Sequence, residues 1–194
     1  MSASSPADRP QTYADIRARN DDTRWELIEG LAYAMAGPSW QHQSVVARLL
    51  VQLIAQFGDR CRVLPAPLDV RLSQTDEPDD LVETVVQPDI SVVCDLSKLD
   101  ERGCRGAPDL IVEVLSPSTA GRDHLIKRVL YERHGVRQYW LVHPIDRLVT
   151  IHRRVGDGFA PPELFEARGV VVIDSESVRS IDWDQVFADL PPLA

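Results

Sequence analysis

Apolar residues recur along the chain with two periods, one typical of helices and one of strands. Between Gln41 and Phe57 the apolar positions keep to one face of a helix with 3.6 residues per turn. This stripe consists of Val45, Val46, Leu49, Leu50, Leu53, Ile54 and Phe57. Pro38 and Ser39 supply a start signal and Gly58 a stop signal. The pattern therefore predicts a long amphipathic helix.

A second helix is predicted from about Arg122 to His134, where apolar residues again follow helical spacing. The residues expected to be buried are Leu125, Ile126, Val129 and Leu130. Gly135 follows directly and is a common helix terminator, because it adopts a left-handed backbone at no steric cost.

The remaining periodic segments are typical of strands. The segment Trp25 to Ala36 predicts a hairpin that turns at Glu29 and Gly30. Val85 to Cys94 and Leu110 to Leu115 are continuous apolar runs, as in strands buried on both faces. Shorter strands are predicted at Arg62 to Leu64, Leu68 to Leu72, Gln138 to Val142 and Leu148 to Arg153, with a short helix at Trp183 to Phe187. This order predicts an α+β fold with a mixed central sheet flanked by helices.

Length and composition are typical of one domain. The chain has 194 residues, of which 44% are apolar, so we expect one core over residues 1–194 with a disordered leader at 1–10. No apolar run approaches the roughly 20 residues that cross a bilayer. The leader lacks a basic segment followed by an apolar one, so it does not resemble a signal peptide. We therefore expect a cytoplasmic protein without a membrane partner.

The three cysteines are an odd number without CxxC spacing. Cys61, Cys94 and Cys104 therefore predict neither a disulfide framework nor a zinc site, and we expect reduced thiols.

Net charge restricts the possible partners. A charge of −9 counts against a protein that coats nucleic acid non-specifically, because phosphate binding requires clustered cations. An enzyme with a local basic patch remains compatible with it. Five lysines or arginines fall between Arg122 and Arg137. They either form such a patch or neutralise Glu132 and other acids on a solvated face.

Two carboxylates interrupt the buried strands. Asp89 and Glu113 each lie within, or at the end of, an apolar run. A buried ionised carboxylate costs several kcal/mol unless a partner compensates it. Each acid could pair with an arginine or cap a turn. For two acids on adjacent strands, we favour a divalent cation between them.

The chain resembles the Uma2 (DUF820) family, which is related to the restriction-endonuclease-like PD-(D/E)XK superfamily. Pro88-Asp89 followed by Glu113-Val114-Leu115 matches the order of the superfamily signature. Further matching segments are ELIEG (26–30), the Pro-Ser-x-x-His segment (38–42), VVQPDISVVCD (85–95), RGAPDLIVEVLSPST (105–119) and YERHGVRQYWLVHP (131–144). The resemblance implies a restriction-endonuclease-like core with an N-terminal hairpin and catalytic acids at Asp89 and Glu113.

One position departs from the superfamily pattern. The signature places a lysine two residues after the second acid, where this chain has Leu115. The resemblance implies a lysine that has migrated to the neighbouring helix. Lys127 suits this role, since Asp123, Lys127, Tyr131 and His134 line one flank of that helix. The alternative is an exposed Asp123–Lys127 surface pair. Tyr131 and Asp123 are supporting candidates.

Four further residues are candidates for the site. Glu26 in the ELIEG motif would complete a metal shell, or else faces solvent. His42 projects onto the apolar face of the first helix and is a supporting or a core residue. Asp69 is a supporting acid or an outward strand residue, and Gln87 is close enough to the Pro-Asp turn to bond a phosphate. The loop from Ser116 to Thr119 either contacts phosphate or caps the helix that follows.

These features favour a metal-dependent endonuclease that hydrolyses phosphodiester bonds in DNA. Asp89, Glu113 and a backbone carbonyl at Val114 or Leu115 would hold Mg²⁺, with Mn²⁺ as a substitute and Glu26 as a further ligand. We expect a homodimer, since two sites cut two strands most simply. The alternative is an inactive nuclease-like fold that serves binding or assembly; a plain structural domain is disfavoured. A nuclease predicts a basic surface around the site, and an assembly module predicts an exposed apolar face.

Overall fold

The computed structural model describes residues 9–73, 75–116, 123–174 and 179–191. Its helices are α1 (Tyr13–Arg17), α2 (Trp40–Phe57), α3 (Arg128–Arg133) and α4 (Trp183–Val186), with a π-helical turn at Asp123–Lys127 directly before α3. Short 3₁₀ turns lie at Asp79–Leu81 and Leu96–Lys98. Within these ranges, no helix is long and apolar enough to cross a membrane.

The strands alternate with these helices along the chain. In order they are β1 (Trp25–Ile28), β2 (Leu31–Ala34), β3 (Arg62–Pro65), β4 (Val70–Arg71), β5 (Val85–Val86), β6 (Ile90–Val93), β7 (Leu99–Asp100), β8 (Gly103–Arg105), β9 (Leu110–Val114), β10 (Gln138–His143), β11 (Leu148–Val155), β12 (Gly158–Phe159), β13 (Glu163–Glu166), β14 (Val170–Asp174) and β15 (Arg179–Asp182).

Most of these strands belong to one of two sheets. One sheet has the order β12-β11-β10-β9-β6-β3, with β13 also paired to β11. In it β9 and β10 are parallel, whereas β6 and β11 run antiparallel to their neighbours. The other sheet has the order β2-β1-β5-β4-β8-β7, and β14 pairs with β15 separately. The α+β fold with a mixed central sheet and an N-terminal hairpin is therefore confirmed.

The central sheet is buried on both faces. One face packs with α2, β15 and α4, and its core includes Leu49, Leu53, Val112 and Trp140. The other face packs against the second sheet and α3. Residues alternate between these faces along β9, so Ile111, Glu113 and Leu115 point toward the second sheet. Glu113 therefore lies between the two sheets.

The long helix α2 and the β1–β2 hairpin follow the prediction. Ser39 caps α2 by accepting a hydrogen bond from the His42 backbone, and Gly58 ends the helix. At the hairpin turn both Glu29 and Gly30 have positive φ angles, 50° and 77°, as a two-residue turn between antiparallel strands requires.

The apolar run from residue 85 to 94 does not form one strand. It divides at Gln87-Pro88-Asp89, so β5 belongs to one sheet and β6 to the other. Proline has no backbone N–H to donate, which favours an end of pairing at Pro88. The division places Asp89 where the two sheets diverge.

The predicted buried face of the second helix is wrong. Leu125, Ile126 and Val129 are 72%, 42% and 48% exposed, and of the four predicted residues only Leu130 is buried. The π-helical turn has a wider repeat than an α-helix and rotates the side chains that follow it. As a result, the flank that carries Lys127 and Tyr131 faces the core.

The expectation of three reduced thiols is also wrong. Cys61 and Cys94 form a disulfide, and Cys104 is a buried free cysteine. The reason is the strand register: Arg62 on β3 faces Val93 on β6, so the residues just beyond this pair face each other with Cα atoms 4.0 Å apart. Cysteine count and spacing carry no information about this register.

Candidate active site

A cavity of about 430 Å³ opens where the two sheets diverge. Its wall includes residues of β1, Gln87 and Asp89 at the β5–β6 junction, and residues of β9, the π-helical turn and the first turn of α2. The ionisable residues that line it are Arg24, Glu26, His42, Asp89, Glu113 and Lys127. Gln87 also lines it, so the fold brings together six of the residues proposed from sequence, from five separate segments, and adds Arg24.

Lys127 lies between two carboxylates. Its Nζ is 2.8 Å from Glu26 Oε1 and 2.9 Å from Glu113 Oε1. The three residues are only 2–5% exposed. Lys127 is therefore no exposed surface pair, and Glu26 does not face solvent. At this burial the ammonium offsets two carboxylates that would otherwise repel each other.

Tyr131 completes the environment of Glu113. One turn after Lys127 on the same helix flank, its hydroxyl donates to Glu113 Oε1 over 2.9 Å. The ring packs edge-on against Tyr139 of β10 at 4.9 Å between centroids. Glu113 Oε1 therefore accepts hydrogen bonds from both Lys127 and Tyr131. Asp123 begins the same helical segment, but its side chain lies outside what the structure describes.

Asp89 is held by two donors. The Val114 backbone N–H donates to its Oδ2 over 2.7 Å, and His42 Nε2 lies 3.0 Å from the same oxygen. Because an ionised carboxylate only accepts hydrogen bonds, Nε2 is the protonated nitrogen of His42 in this contact. The bond to Val114 places Asp89 directly beside the peptide that follows Glu113.

Asp69 contacts Gln87, a residue of the cavity wall, and Tyr13 of α1. It accepts hydrogen bonds from the Tyr13 hydroxyl over 2.7 Å and from Gln87 Nε2 over 2.8 Å. Burial, and then the bond to Asp69, raises the pKa of Tyr13 above its ordinary value, so the phenol stays a donor. Gln87 also donates its backbone N–H to Glu26 Oε1 over 3.1 Å.

The orientation of the Gln87 amide follows from this network. Asp69 can only accept, so the amide NH₂ points to it and the carbonyl Oε1 points away from it. Gln87 Oε1 and His42 Nδ1 are buried atoms without a hydrogen-bond partner among the described residues. The amide NH₂ of Gln87 is thus engaged by Asp69, and the predicted bond from Gln87 to a phosphate stays a prediction.

The sequence was also compared with the profiles of known protein families. The profile of a family described as "Uma2: Putative restriction endonuclease" matches residues 10–184. The chain belongs to the Uma2 family. It is also 29% identical over 159 residues to the uncharacterized protein slr1290 of Synechocystis sp., covering 81% of this chain and 80% of that one.

A solved structure shares the fold of this Uma2 chain. It is described as a putative nuclease belonging to DUF820 from Anabaena variabilis, with a TM-score of 0.69 and 20% sequence identity. The match covers 89% of this chain and 94% of that one. At this identity the likeness establishes the fold alone.

The described arginines of the second predicted helix and its C-terminal end are paired with acids and do not line the cavity. Arg128 pairs with Glu132, Arg133 with Glu29 and Arg137 with Asp109. These described arginines therefore neutralise acids, the second of the two roles considered from sequence. Arg122 and the segment 117–119 of the predicted phosphate loop lie outside the described residues; Ser116 lines the cavity.

The acids of the Uma2 site suit a hard cation that keeps its water. Within the described ranges, no three His, Cys, Asp or Glu side chains are grouped around one point as ligands. Mg²⁺ does not require such a group, since it is commonly held by one or two carboxylates, waters and substrate phosphate. Asp89 and Glu113 supply hard oxygen ligands on one cavity, and among the described residues His42 is the one histidine that lines it and no cysteine does. The donors fit magnesium better than a structural zinc ion.

Sequence reasoning missed two residues of this Uma2 site. The five-residue helix α1 is too short to show a clear period, so the pattern does not indicate Tyr13. Arg24 precedes the hairpin strand and therefore lies outside the predicted element. A signal existed for Arg24, since it lies two residues before Glu26 and successive odd or even positions of a strand share a face.

Proposed function

We propose that this Uma2 chain is a metal-dependent endonuclease that hydrolyses phosphodiester bonds in DNA. The observation that carries the proposal is the convergence of Asp89, Glu113 and Lys127 on one cavity, with Lys127 reaching Glu113 from the next helical segment. The family description and the fold of the DUF820 neighbour point to nucleases in general.

Lys127 supplies the cation that Leu115 cannot. Leu115 lies on the same face of β9 as Glu113 but is packed in an apolar cluster. The Lys127 ammonium, 2.9 Å from Glu113 Oε1, places a proton donor at the acids. There Nζ would donate to a phosphate oxygen as negative charge builds up during cleavage.

Asp89 and Glu113 would hold Mg²⁺, or Mn²⁺ in its place, with a backbone carbonyl nearby and Glu26 as a further acid. When bound, the ion would supply an acidified water and offset charge on the phosphate. His42 and the Val114 N–H fix Asp89 Oδ2, which leaves the other oxygen of Asp89 oriented for a ligand.

The test combines metal binding with DNA nicking. We would titrate Mg²⁺ and Mn²⁺ by calorimetry into wild type, Asp89→Asn and Glu113→Gln, and incubate the same samples with supercoiled plasmid. Asp184→Asn is a matched control, because Asp184 is exposed and away from the cavity. Binding and nicking should be lost in the first two variants and kept in the control.

Lysine replacement separates the proposed role of Lys127 from general loss of charge. The chain has two lysines, so Lys98→Met is the control; Lys98 Nζ donates to the Ala107 carbonyl outside the cavity. Lys127→Met should bind metal but not nick DNA, whereas Lys98→Met should do both. Because loss of the Lys127 ammonium also destabilises the fold, circular dichroism must show that Lys127→Met is folded under the assay conditions. Metal binding by wild type without cleavage of any DNA form would favour the inactive binding module.

A homodimer is part of the same proposal. Sedimentation of wild type with and without a DNA duplex would show whether two copies assemble on it. Accumulation of nicked circles before linear product would instead indicate that single copies cut one strand at a time.

A further inference from the structure

Arg24 points to the cavity from the start of the hairpin. It lies directly before β1 and accepts a hydrogen bond from the Met35 backbone, which continues the β1–β2 ladder by one residue. On a strand, residues two apart share a face, so Arg24 lies on the face of Glu26 and Ile28. Arg24 is half-buried and lines the cavity together with Glu26 and Met35.

The Arg24 guanidinium has no acceptor in the described part of the chain. No ion pair within 4.0 Å and no side-chain hydrogen bond involves it. Most other arginines of the chain have such a partner: Arg71, for example, is fully buried between Asp79 and Asp100. A half-buried guanidinium without a carboxylate beside it is available to an anionic ligand.

The formal charges of the cavity residues also indicate that this ligand is an anion. Glu26, Asp89 and Glu113 contribute three negative charges to the cavity, and Lys127 and Arg24 contribute two positive ones. One divalent cation would change the net formal charge from −1 to +1. A phosphodiester carries one negative charge and would restore neutrality. The cavity also borders the first turn of α2, whose dipole adds positive potential on that side.

We propose that Arg24 binds the non-bridging oxygens of a backbone phosphate of the nucleic acid substrate. This assignment rests on the proposed nuclease function and adds the residue that seats the substrate. A guanidinium suits the task, because its planar fork of N–H donors matches two phosphate oxygens at once. The carboxylates of the cavity cannot replace it, since they only accept hydrogen bonds.

The experiment measures binding, separately from cleavage. A fluorescein-labelled 14-base-pair DNA duplex would be titrated with wild type, Arg24→Gln, Arg24→Lys and Arg60→Gln at several salt concentrations. Ca²⁺ would replace Mg²⁺ to limit cleavage, and anisotropy would report the dissociation constant. Arg60 is the matched control, because it is exposed and its side chain also has no ion pair or hydrogen bond in the described chain. Urea denaturation would show that the variants are equally folded.

Arg24→Gln should weaken binding roughly tenfold to a hundredfold, as expected for loss of a charged hydrogen bond. The slope of log K against log salt should fall by about 0.9, the value for one phosphate contact. Arg24→Lys should keep the slope and recover part of the affinity, and Arg60→Gln should match wild type.

Two results would overturn the assignment: no binding by wild type, or equal affinity and slope in wild type and Arg24→Gln. Plasmid nicking reports on the proposed function independently. Nicking with an unchanged salt slope would reject Arg24 while the nuclease stands. Arg24-dependent binding without nicking in Mg²⁺ or Mn²⁺ would reject the nuclease and leave a phosphate-binding site.

Discussion

Replacement of Lys127 by methionine should strongly destabilise the fold. Methionine has similar length and fills the same space without a charge. It would leave Glu26 and Glu113, which are 2% and 5% exposed, without the ammonium that bonds both at 2.8 and 2.9 Å. Removing one member of a buried ion pair costs about 3–5 kcal/mol, because the remaining charge stays desolvated. That is a large part of the roughly 5–15 kcal/mol by which a domain is stable.

Urea denaturation measures this cost as a lower midpoint at unchanged slope. The informative control neutralises all three groups in Glu26→Gln, Glu113→Gln, Lys127→Met. If the loss comes from uncompensated charge, this triple variant should be more stable than Lys127→Met alone. A loss below about 1 kcal/mol for Lys127→Met would refute the reasoning, since exposed pairs are worth that little. A triple variant less stable than the single one would instead assign the loss to packing.

Three further predictions concern other parts of the molecule. Cys61→Ser removes a disulfide that closes a 33-residue separation and should cost about 3–4 kcal/mol in urea denaturation, with no difference from wild type once reductant is added. The hydrogen bond from Arg9, followed by the Thr12 N–H, lowers the pKa of Asp15 to about 2. This carboxylate should therefore stabilise α1 above its ordinary pKa and lose that effect as pH falls toward 2, which an NMR titration of Asp15 would follow; a midpoint near 4 would contradict it. His42→Ala should weaken Mg²⁺ binding roughly 10–100-fold in calorimetry by releasing Asp89, and unchanged affinity would remove His42 from the site.

Local patterns were sufficient for the elements whose stability is local. The hairpin at Glu29-Gly30 and the helix that begins after Ser39 could be predicted, because turn and cap residues act within a few positions. The half-buried Asp89 and the buried Glu113 could be found for a similar reason, since each interrupts an apolar run.

Features that depend on tertiary register could not be predicted. The Cys61–Cys94 bond requires knowledge that β3 pairs with β6 in one specific alignment. The exposed Leu125 follows from a π-helical turn, and apolar periodicity assumes a regular α-helix. The disulfide depends on contacts between residues that are far apart in the sequence. The exposed Leu125 depends on a backbone geometry that no known residue pattern indicates.

The position of Lys127 between the two sheets has a consequence for protein engineering. Glu26 belongs to one sheet and Glu113 to the other, so the Lys127 ion pairs join the two sheets. The groups that we propose for the active site thus also hold the two sheets together. An inactive variant of Lys127 or Glu26 cannot be assumed to be an otherwise normal protein, and a phenotype in cells would report abundance as well as chemistry. Asp89→Asn is the better choice for an inactive form, because Asp89 lies outside these ion pairs and keeps most of its contacts as an amide.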